Sequence, residues 1–171
     1  MRLFHVSDQG DIAHFAPRIP PSMDARIAHP VVWAVDGEHL ANYLVPRNCP
    51  RVCFRANEDT TNEDRQRFLR ADAAPVVAIE ESWFRMAEAT PLWIYEFAPQ
   101  PFASADRNAG YFVASVSVTP LACRRIECPL AELAARGAEL RGVRDLRTLA
   151  ADVTRSTLAF SCIRMRNATP V

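Results

Sequence analysis

The apolar residues of this chain occur in short runs bounded by polar turns and prolines, which limits the fold to one built from many short strands. The runs Val31–Val35 and Val76–Ile79 are typical of buried strands, and Tyr111–Val118 alternates along its length. No run approaches the roughly 18 to 20 apolar residues of a membrane span, so we expect no transmembrane segment. Further strands are predicted at Arg2–Val6, Arg51–Arg55, Leu92–Phe97 and Leu158–Cys162.

The two-residue period of a strand assigns faces in two of these runs. In Arg51–Arg55 it places Val52 and Phe54 on an inward apolar face and Arg51, Cys53 and Arg55 on the other. In the final strand it predicts that Arg164 and Arg166 extend one face of the run.

Capping residues followed by spaced apolar residues predict several short helices. Asp36 stands as an N-cap ahead of Leu40 and Tyr43, and Thr61 with Asp64 resembles a capping box. The remaining helical segments are predicted at Asp11–Phe15, Glu81–Ala87, Pro129–Gly137 and Leu146–Val153, and long loops after Phe15 and over Pro99–Gly110.

The predicted strands outnumber the predicted helices, and the two follow no regular order. This pattern favours an α+β fold with a mainly antiparallel, mixed sheet over a doubly wound parallel sheet. With 171 residues, the chain is expected to form a single domain over residues 1–171.

The charge composition restricts the chemistry more than it restricts the fold. Twenty basic residues balance twenty acidic ones, so no global field favours binding to nucleic acid or to a membrane surface. A local basic patch is compatible with this balance. All the basic residues are arginine, which excludes lysine-dependent Schiff-base and P-loop chemistry. Recognition of phosphate or carboxylate by guanidinium groups remains open.

The five cysteines are odd in number and follow no apolar leader, which predicts a reduced, cytoplasmic protein. Cys49 and Cys53, like Cys123 and Cys128, are not spaced as in zinc knuckles, so we expect buried thiols rather than a structural zinc site.

All four histidines fall in the first quarter of the chain, where a titrating side chain would be available for chemistry. Metal-assisted hydrolysis by His5, His14, His29 and His39 is one hypothesis, but no pair has the spacing that puts two ligands on one helical face. No Walker, Rossmann, zinc-protease or nucleophile-elbow motif is present in the sequence.

Three segments of the first fifty residues carry a resemblance to a known fold: Leu3–Ser7, Val31–Asp36 and Ala41–Tyr43. Their layout resembles the N-terminal half of the ADP-ribosyltransferase-like fold, shared by toxins, poly-ADP-ribose polymerases and RNA 2′-phosphotransferases. In that fold a strand ends in histidine, a second strand carries an aromatic residue, and a helix follows.

The resemblance implies NAD as cofactor and assigns roles to four residues. His5 would contact a ribose, Ser7 would support it, Trp33 would stand where a tyrosine stacks on nicotinamide, and Glu96 would be the glutamate of the third motif. Glu96 would then stabilise an oxocarbenium-like transition state. The sequence departs from the pattern in having Val6 where a glycine is usual.

Arginines supply the phosphate-binding part of this hypothesis and also a second, non-catalytic one. Arg18, Arg47 or Arg51 would hold the pyrophosphate of NAD or ADP-ribose by bidentate hydrogen bonds. In the alternative, the chain is a binding module for a phosphate-bearing nucleotide or RNA end, or for a protein. Its patch would comprise Arg47, Arg51 and Arg55, joined by Arg164 and Arg166, with Trp33 or Tyr43 stacking a base.

A second resemblance is carried by Tyr43–Arg51 and by Phe160–Ala168. With these segments, the whole chain resembles a small family of bacterial proteins known only as a domain of unknown function. That resemblance implies no activity, so whether the protein is an enzyme stays open.

Overall fold

A computed structural model describes residues 1–20 and 27–170. Its internal contacts divide the chain into two compact units. Unit 1 comprises Met1–Leu40 and Leu92–Ile126, and unit 2 comprises Ala41–Pro91 and Glu127–Val171. The predicted α+β class is confirmed, because two sheets and several short helices make up the described residues. The expectation of a single domain over residues 1–171 stays a prediction.

Unit 1 is a six-stranded antiparallel sheet with the strand order β6-β7-β2-β1-β5-β8. Its strands are β1 (Leu3–Ser7), β2 (Val32–Asp36), β5 (Leu92–Phe97), β6 (Ala103–Asp106), β7 (Tyr111–Ala114) and β8 (Ala122–Ile126).

The core of unit 1 lies on one face of this sheet. The ring of Phe15 packs edge-on against Tyr95 and Phe97, with 5.0 Å between ring centroids in each pair. Leu3, on the same face, is fully buried. Because alternate residues of a strand share a face, β1 and β5 contribute every second side chain to this cluster.

Unit 2 is a four-stranded mixed sheet with the order β10-β3-β4-β9, in which only β4 and β9 are parallel. Its strands are β3 (Arg51–Arg55), β4 (Val76–Glu80), β9 (Glu139–Val143) and β10 (Ala159–Ile163). Its α-helices are α1 (Asn62–Phe68), α2 (Phe84–Ala89), α3 (Pro129–Ala135) and α4 (Leu146–Thr154). Three 3-10 helices lie in the described residues, at Leu40–Tyr43, Glu81–Trp83 and Met165–Asn167.

The inner strands of unit 2 are buried on both faces, since every residue of β4 is buried and only the last residue of β3 is not. The prediction that only the Val52 and Phe54 face of β3 points inward is therefore wrong for Arg51 and Cys53, which are buried as well. A strand between two others, in a sheet covered on both sides, has no solvent face.

Several predicted boundaries are corrected by the structure. Asp11–Phe15 has no helical turn, and Phe15 instead forms an isolated bridge with Val118. The strand predicted over Tyr111–Val118 ends at Ala114. The predicted loop Pro99–Gly110 contains β6.

The capping box is confirmed in part. Thr61 accepts a hydrogen bond at Oγ1 from the amide of Asp64, at 3.2 Å. The Asp64 carboxylate does not return to the cap but accepts from the amide and hydroxyl of Thr157, at 2.8 and 2.6 Å. Asp64 thus joins α1 to the segment that precedes β10.

Over the described parts of the chain, no helix is both long enough and apolar enough to cross a membrane.

Candidate anion-binding site

Three segments of unit 2 bring arginines to one end of its sheet. Arg51 is the first residue of β3, and its antiparallel partner on β10 is Ile163, the last residue of that strand. Arg164 follows directly, so the strand register places it beside Arg51. Arg47 lies in the short loop that leads into β3. We call Arg47, Arg51, Arg164 and Arg166 the arginine site.

Arg51 is the fixed member of the arginine site, with only 3% of its surface exposed. Its Nε donates to the carbonyl oxygen of Asn42 at 2.7 Å, and its Nη1 donates to that of Cys49 at 2.9 Å. Its guanidinium carbon lies 5.2 Å from the centroid of the Tyr43 ring. These contacts hold the cation in one orientation and satisfy two of its donor groups.

The loop that carries Arg47 is bonded to the C-terminal segment that carries Arg164 and Arg166. Asn167 donates from Nδ2 to the carbonyl oxygen of Asn48 at 2.7 Å. This bond joins two polypeptide segments that lie more than a hundred residues apart in the sequence.

Two further bonds hold the end of the same C-terminal segment. The amide of Thr169 donates to Oε1 of Glu80 at 2.8 Å, and Arg147 donates from Nη2 to the carbonyl oxygen of Ala168, also at 2.8 Å. Glu80 is 3% exposed, so the bond from Thr169 ties the C-terminal segment to a buried carboxylate.

Arg164 has a left-handed backbone conformation, with φ of 56° and ψ of 27°. Such a conformation costs a non-glycine residue about 1–2 kcal/mol, and it is maintained only where the surrounding structure imposes it. The prediction that Arg164 and Arg166 continue the face of β10 is wrong, because the chain turns here into the 3-10 helix Met165–Asn167.

The electrostatics of Arg164 show that the members of the site are close. Burial lowers its pKa below the usual range, and the charges of Arg166, Arg47 and Arg51 lower it further. Among the described residues, no carboxylate oxygen lies within 4.0 Å of Arg47, Arg51 or Arg164. Arg47, Arg51 and Arg164 therefore concentrate positive charge with no carboxylate partner of their own among the described residues.

The thiols near Arg51 are not nucleophiles at neutral pH. Burial raises the pKa of Cys49 to about 12 and that of Cys53 to about 12, and the opposing charge of Arg51 does not overcome this effect. A thiol with such a pKa is protonated at pH 7. All four histidines belong by sequence to unit 1, so unit 2 supplies no imidazole base either.

Of the residues predicted from sequence, Tyr43, Arg47 and Arg51 come together in the arginine site. Arg55 does not, because it ends β3 where Arg51 begins it, about 13 Å away at the rise of a strand. Arg164 was predicted only as part of a patch. No local pattern in the sequence indicates its left-handed turn.

The two residues predicted to be catalytic in ADP-ribosyl transfer, His5 and Glu96, belong to unit 1 and lie on opposite faces of its sheet. His5 pairs with Tyr95, whereas Glu96 pairs with Phe4. Paired residues share a face and successive residues alternate, so His5 and Glu96 point to opposite sides. The strand register does not bring these two groups to one substrate.

Their contacts agree with this separation. His5 donates from Nδ1 to the carbonyl oxygen of Trp33 at 3.0 Å, and its ring lies 5.0 Å from that of Phe15 in the core. Glu96 pairs with Arg2 at 3.4 Å. The Trp33 ring packs edge-on against Tyr111, 5.6 Å between centroids.

Ser7 and Arg18 also have local roles in unit 1. Ser7 is buried and accepts at Oγ from the amide of Gln9 at 3.1 Å. Arg18 is exposed, and its backbone pairs with that of Val31.

Within the residues that the structure describes, no group of three or more histidine, cysteine, aspartate or glutamate side chains is placed to hold a metal ion. His14 bonds to Thr119 through Nδ1 at 3.0 Å, and His39 bonds to Asp36 through Nδ1 at 2.8 Å.

Comparison with known proteins matches residues 4–168 to a family described as a family of unknown function, DUF6886. The chain belongs to this family. The resemblance to a family of unknown function is thereby confirmed, and nearly the whole chain, both units included, is covered by the match. No curated protein and no solved structure matched the chain.

Proposed function

We propose that this chain binds a phosphate-bearing ligand at the arginine site. The observation that carries the proposal is the buried Arg51, which has no carboxylate within 4.0 Å among the described residues and stands beside Arg47 and Arg164. Buried guanidinium groups are normally paired with an anion. A bound phosphate would supply the missing charge.

The contacts of Arg51 suit it to be a fixed positive charge within such a site. Two backbone carbonyls and the Tyr43 ring already hold its guanidinium group, so binding would cost little further side-chain entropy. Arg47 is exposed and Arg164 partly buried, so their donors are positioned to reach an anion from solvent. Guanidinium–phosphate hydrogen bonds are strong and often bidentate.

The surroundings favour binding over hydrolysis. Unit 2 has no histidine, and the neighbouring thiols of Cys49 and Cys53 are protonated at neutral pH. Glu80, the nearby buried carboxylate, is bonded to the amide of Thr169. We therefore favour the binding module over ADP-ribosyl transfer with NAD, whose proposed residues His5 and Glu96 lie on opposite faces of a sheet.

The experiment is a thermal-shift and calorimetric titration with inorganic phosphate and with ADP. A ligand at about 100 times its dissociation constant stabilises the protein by about 2.7 kcal/mol. We expect this shift in the wild type and its loss in Arg47→Gln and Arg164→Gln. Arg85→Gln is the control, because Arg85 is an exposed arginine of α2 in the same unit.

The absence of any shift in the wild type would contradict the proposal, as would equal binding by all the variants. Stabilisation by NAD that is lost in His5→Ala and retained in Arg164→Gln would favour the transferase hypothesis instead.

A further inference from the structure

Building on the proposed function, we infer that the arginine site recognises a terminal phosphate or pyrophosphate group with two or more negative charges, and discriminates against an internal phosphodiester. Three features of the site favour a multiply charged phosphate: its positive charge, the donors that two segments supply, and the contact of Tyr43 with Arg51.

Positive charge is concentrated at the arginine site. Four arginines form the site, and each of the other three lowers the pKa of Arg164. Glu80 is an acidic group whose charge reaches the same region, since it and Arg51 both act on Cys49. Arg47, Arg51 and Arg164 have no carboxylate oxygen within 4.0 Å among the described residues, so their combined charge leaves an excess that a singly charged diester would only partly neutralise. A terminal phosphate or a pyrophosphate carries the larger charge that this excess favours.

The guanidinium donors of the site come from two segments of the chain. Arg47 and Arg164 stand on two segments that the bond between Asn167 and Asn48 holds together. A terminal phosphate presents three free oxygens, enough for guanidinium groups from two segments, whereas an internal diester presents two. The left-handed turn at Arg164 ends the strand direction of β10, and Asn167, which makes the bond to Asn48, lies in the 3-10 helix that follows this turn.

The aromatic ring that contacts the arginine site is already engaged by one of its arginines. Tyr43 stacks with the guanidinium group of Arg51, so it anchors a cation in the site. Trp33, the other residue predicted to stack a base, belongs to unit 1 and packs against Tyr111. Recognition at the site is therefore assigned to the phosphate and not to a base.

Free pyrophosphate and the 5′-phosphate of a nucleotide chain share this chemistry, and three probes separate them. The wild type is titrated by calorimetry with inorganic pyrophosphate, with a 5′-phosphorylated trinucleotide and with the same trinucleotide ending in a 5′-hydroxyl. We expect the 5′-hydroxyl form to bind at least about tenfold more weakly than its phosphorylated counterpart. Arg47→Gln and Arg164→Gln should weaken binding of pyrophosphate, while Arg85→Gln should not.

The outcomes separate this inference from the proposed function. Binding of pyrophosphate without binding of either trinucleotide supports the inference and identifies the free anion as the ligand. Equal binding of the two trinucleotides, weakened in both arginine variants, overturns the inference but leaves the proposed function in place. If no probe binds to the wild type, both the inference and the proposed function are overturned.

Discussion

The guanidinium group of Arg51 lies over the ring of Tyr43, at 5.2 Å from its centroid, while two backbone carbonyls accept from its Nε and Nη1. This arrangement lets a charged side chain be buried at the start of an inner strand. Burial of a cation is costly unless its donors are satisfied and its charge is balanced. The two carbonyl groups satisfy Nε and Nη1, the Tyr43 ring contacts the cation, and under the proposed function a bound phosphate balances its charge.

The backbone of Arg164 provides a test that separates folding from binding. Arg164→Gly removes the strain of its left-handed conformation, so we expect the free energy of unfolding to be unchanged or to rise by about 1 kcal/mol. Urea denaturation measures this change. Ala73→Gly is the matched control, because Ala73 is the other non-glycine residue with positive φ among those described.

Only the change at Arg164 should also abolish phosphate binding. Marked destabilisation by Arg164→Gly, with phosphate binding retained, would show that this arginine is purely structural.

Two glycines with similar backbone angles should differ sharply in their tolerance of a methyl group. Gly110 has φ of +67°, and a Cβ there would lie 2.1 Å from Nδ1 of the buried His39. Gly137 has φ of +73°, with no atom within 4 Å of a Cβ. We expect Gly137→Ala to cost about 1 kcal/mol and Gly110→Ala at least about 2 kcal/mol more, because His39 must also move.

Chemical denaturation of the two glycine variants makes this comparison. Similar losses of stability would mean that the contact between Gly110 and the His39 ring is not tight in solution.

The carboxylate of Asp64 should make stability depend on pH. Its side-chain and backbone hydrogen bonds from Thr157 lower its pKa below the ordinary 3.8. A lowered pKa in the folded state means that the stabilisation is complete above the unfolded value and disappears as the pH falls through the folded value. We expect Asp64→Asn to lower the unfolding free energy at pH 7, with a difference from the wild type that shrinks below pH 3.8.

Glu63→Gln, at an exposed neighbouring position of α1, is the control for this pH dependence. A constant difference between Asp64→Asn and the wild type from pH 7 down to pH 3 would contradict the assignment.

The five thiols should divide into two classes on alkylation. Cys49 and Cys53 are buried and have a raised pKa of about 12, whereas Cys123, Cys128 and Cys162 are exposed. Iodoacetamide at pH 8, followed by mass spectrometry, should label the three exposed thiols first. Cys162 should be the slowest of them, because partial desolvation of its thiol by neighbouring atoms raises its pKa although the residue is exposed.

In denaturant all five thiols should react at similar rates. Rapid labelling of Cys49 in the native protein would show that the loop before β3 opens readily.

The sequence allowed the inner strands to be predicted, because their apolar runs reflect burial directly. It did not indicate three edge strands, namely β6, whose residues are all exposed, β8, whose residues are mostly exposed, and β9, whose residues are mostly half-buried. Edge strands exposed to solvent need no apolar pattern, so periodicity does not indicate them.

The arginine site, too, could be predicted from the sequence only in part. The cluster of Arg47 and Arg51 is visible as neighbouring residues, but the burial of Arg51 depends on β3 lying between two other strands. The position of Arg164 depends on the pairing of β10 with β3 and on a left-handed turn. Strand pairing is a tertiary property that alternation within one strand does not specify.

The most direct test of phosphate binding is a calorimetric titration with inorganic pyrophosphate of the wild type, Arg47→Gln, Arg164→Gly and the control Arg85→Gln. We expect saturable binding by the wild type and the control. Binding should be at least about tenfold weaker in Arg47→Gln and Arg164→Gly, since each loses a charge-assisted contact. Equal affinity in all four proteins, or no binding by the wild type, would contradict phosphate binding at the arginine site.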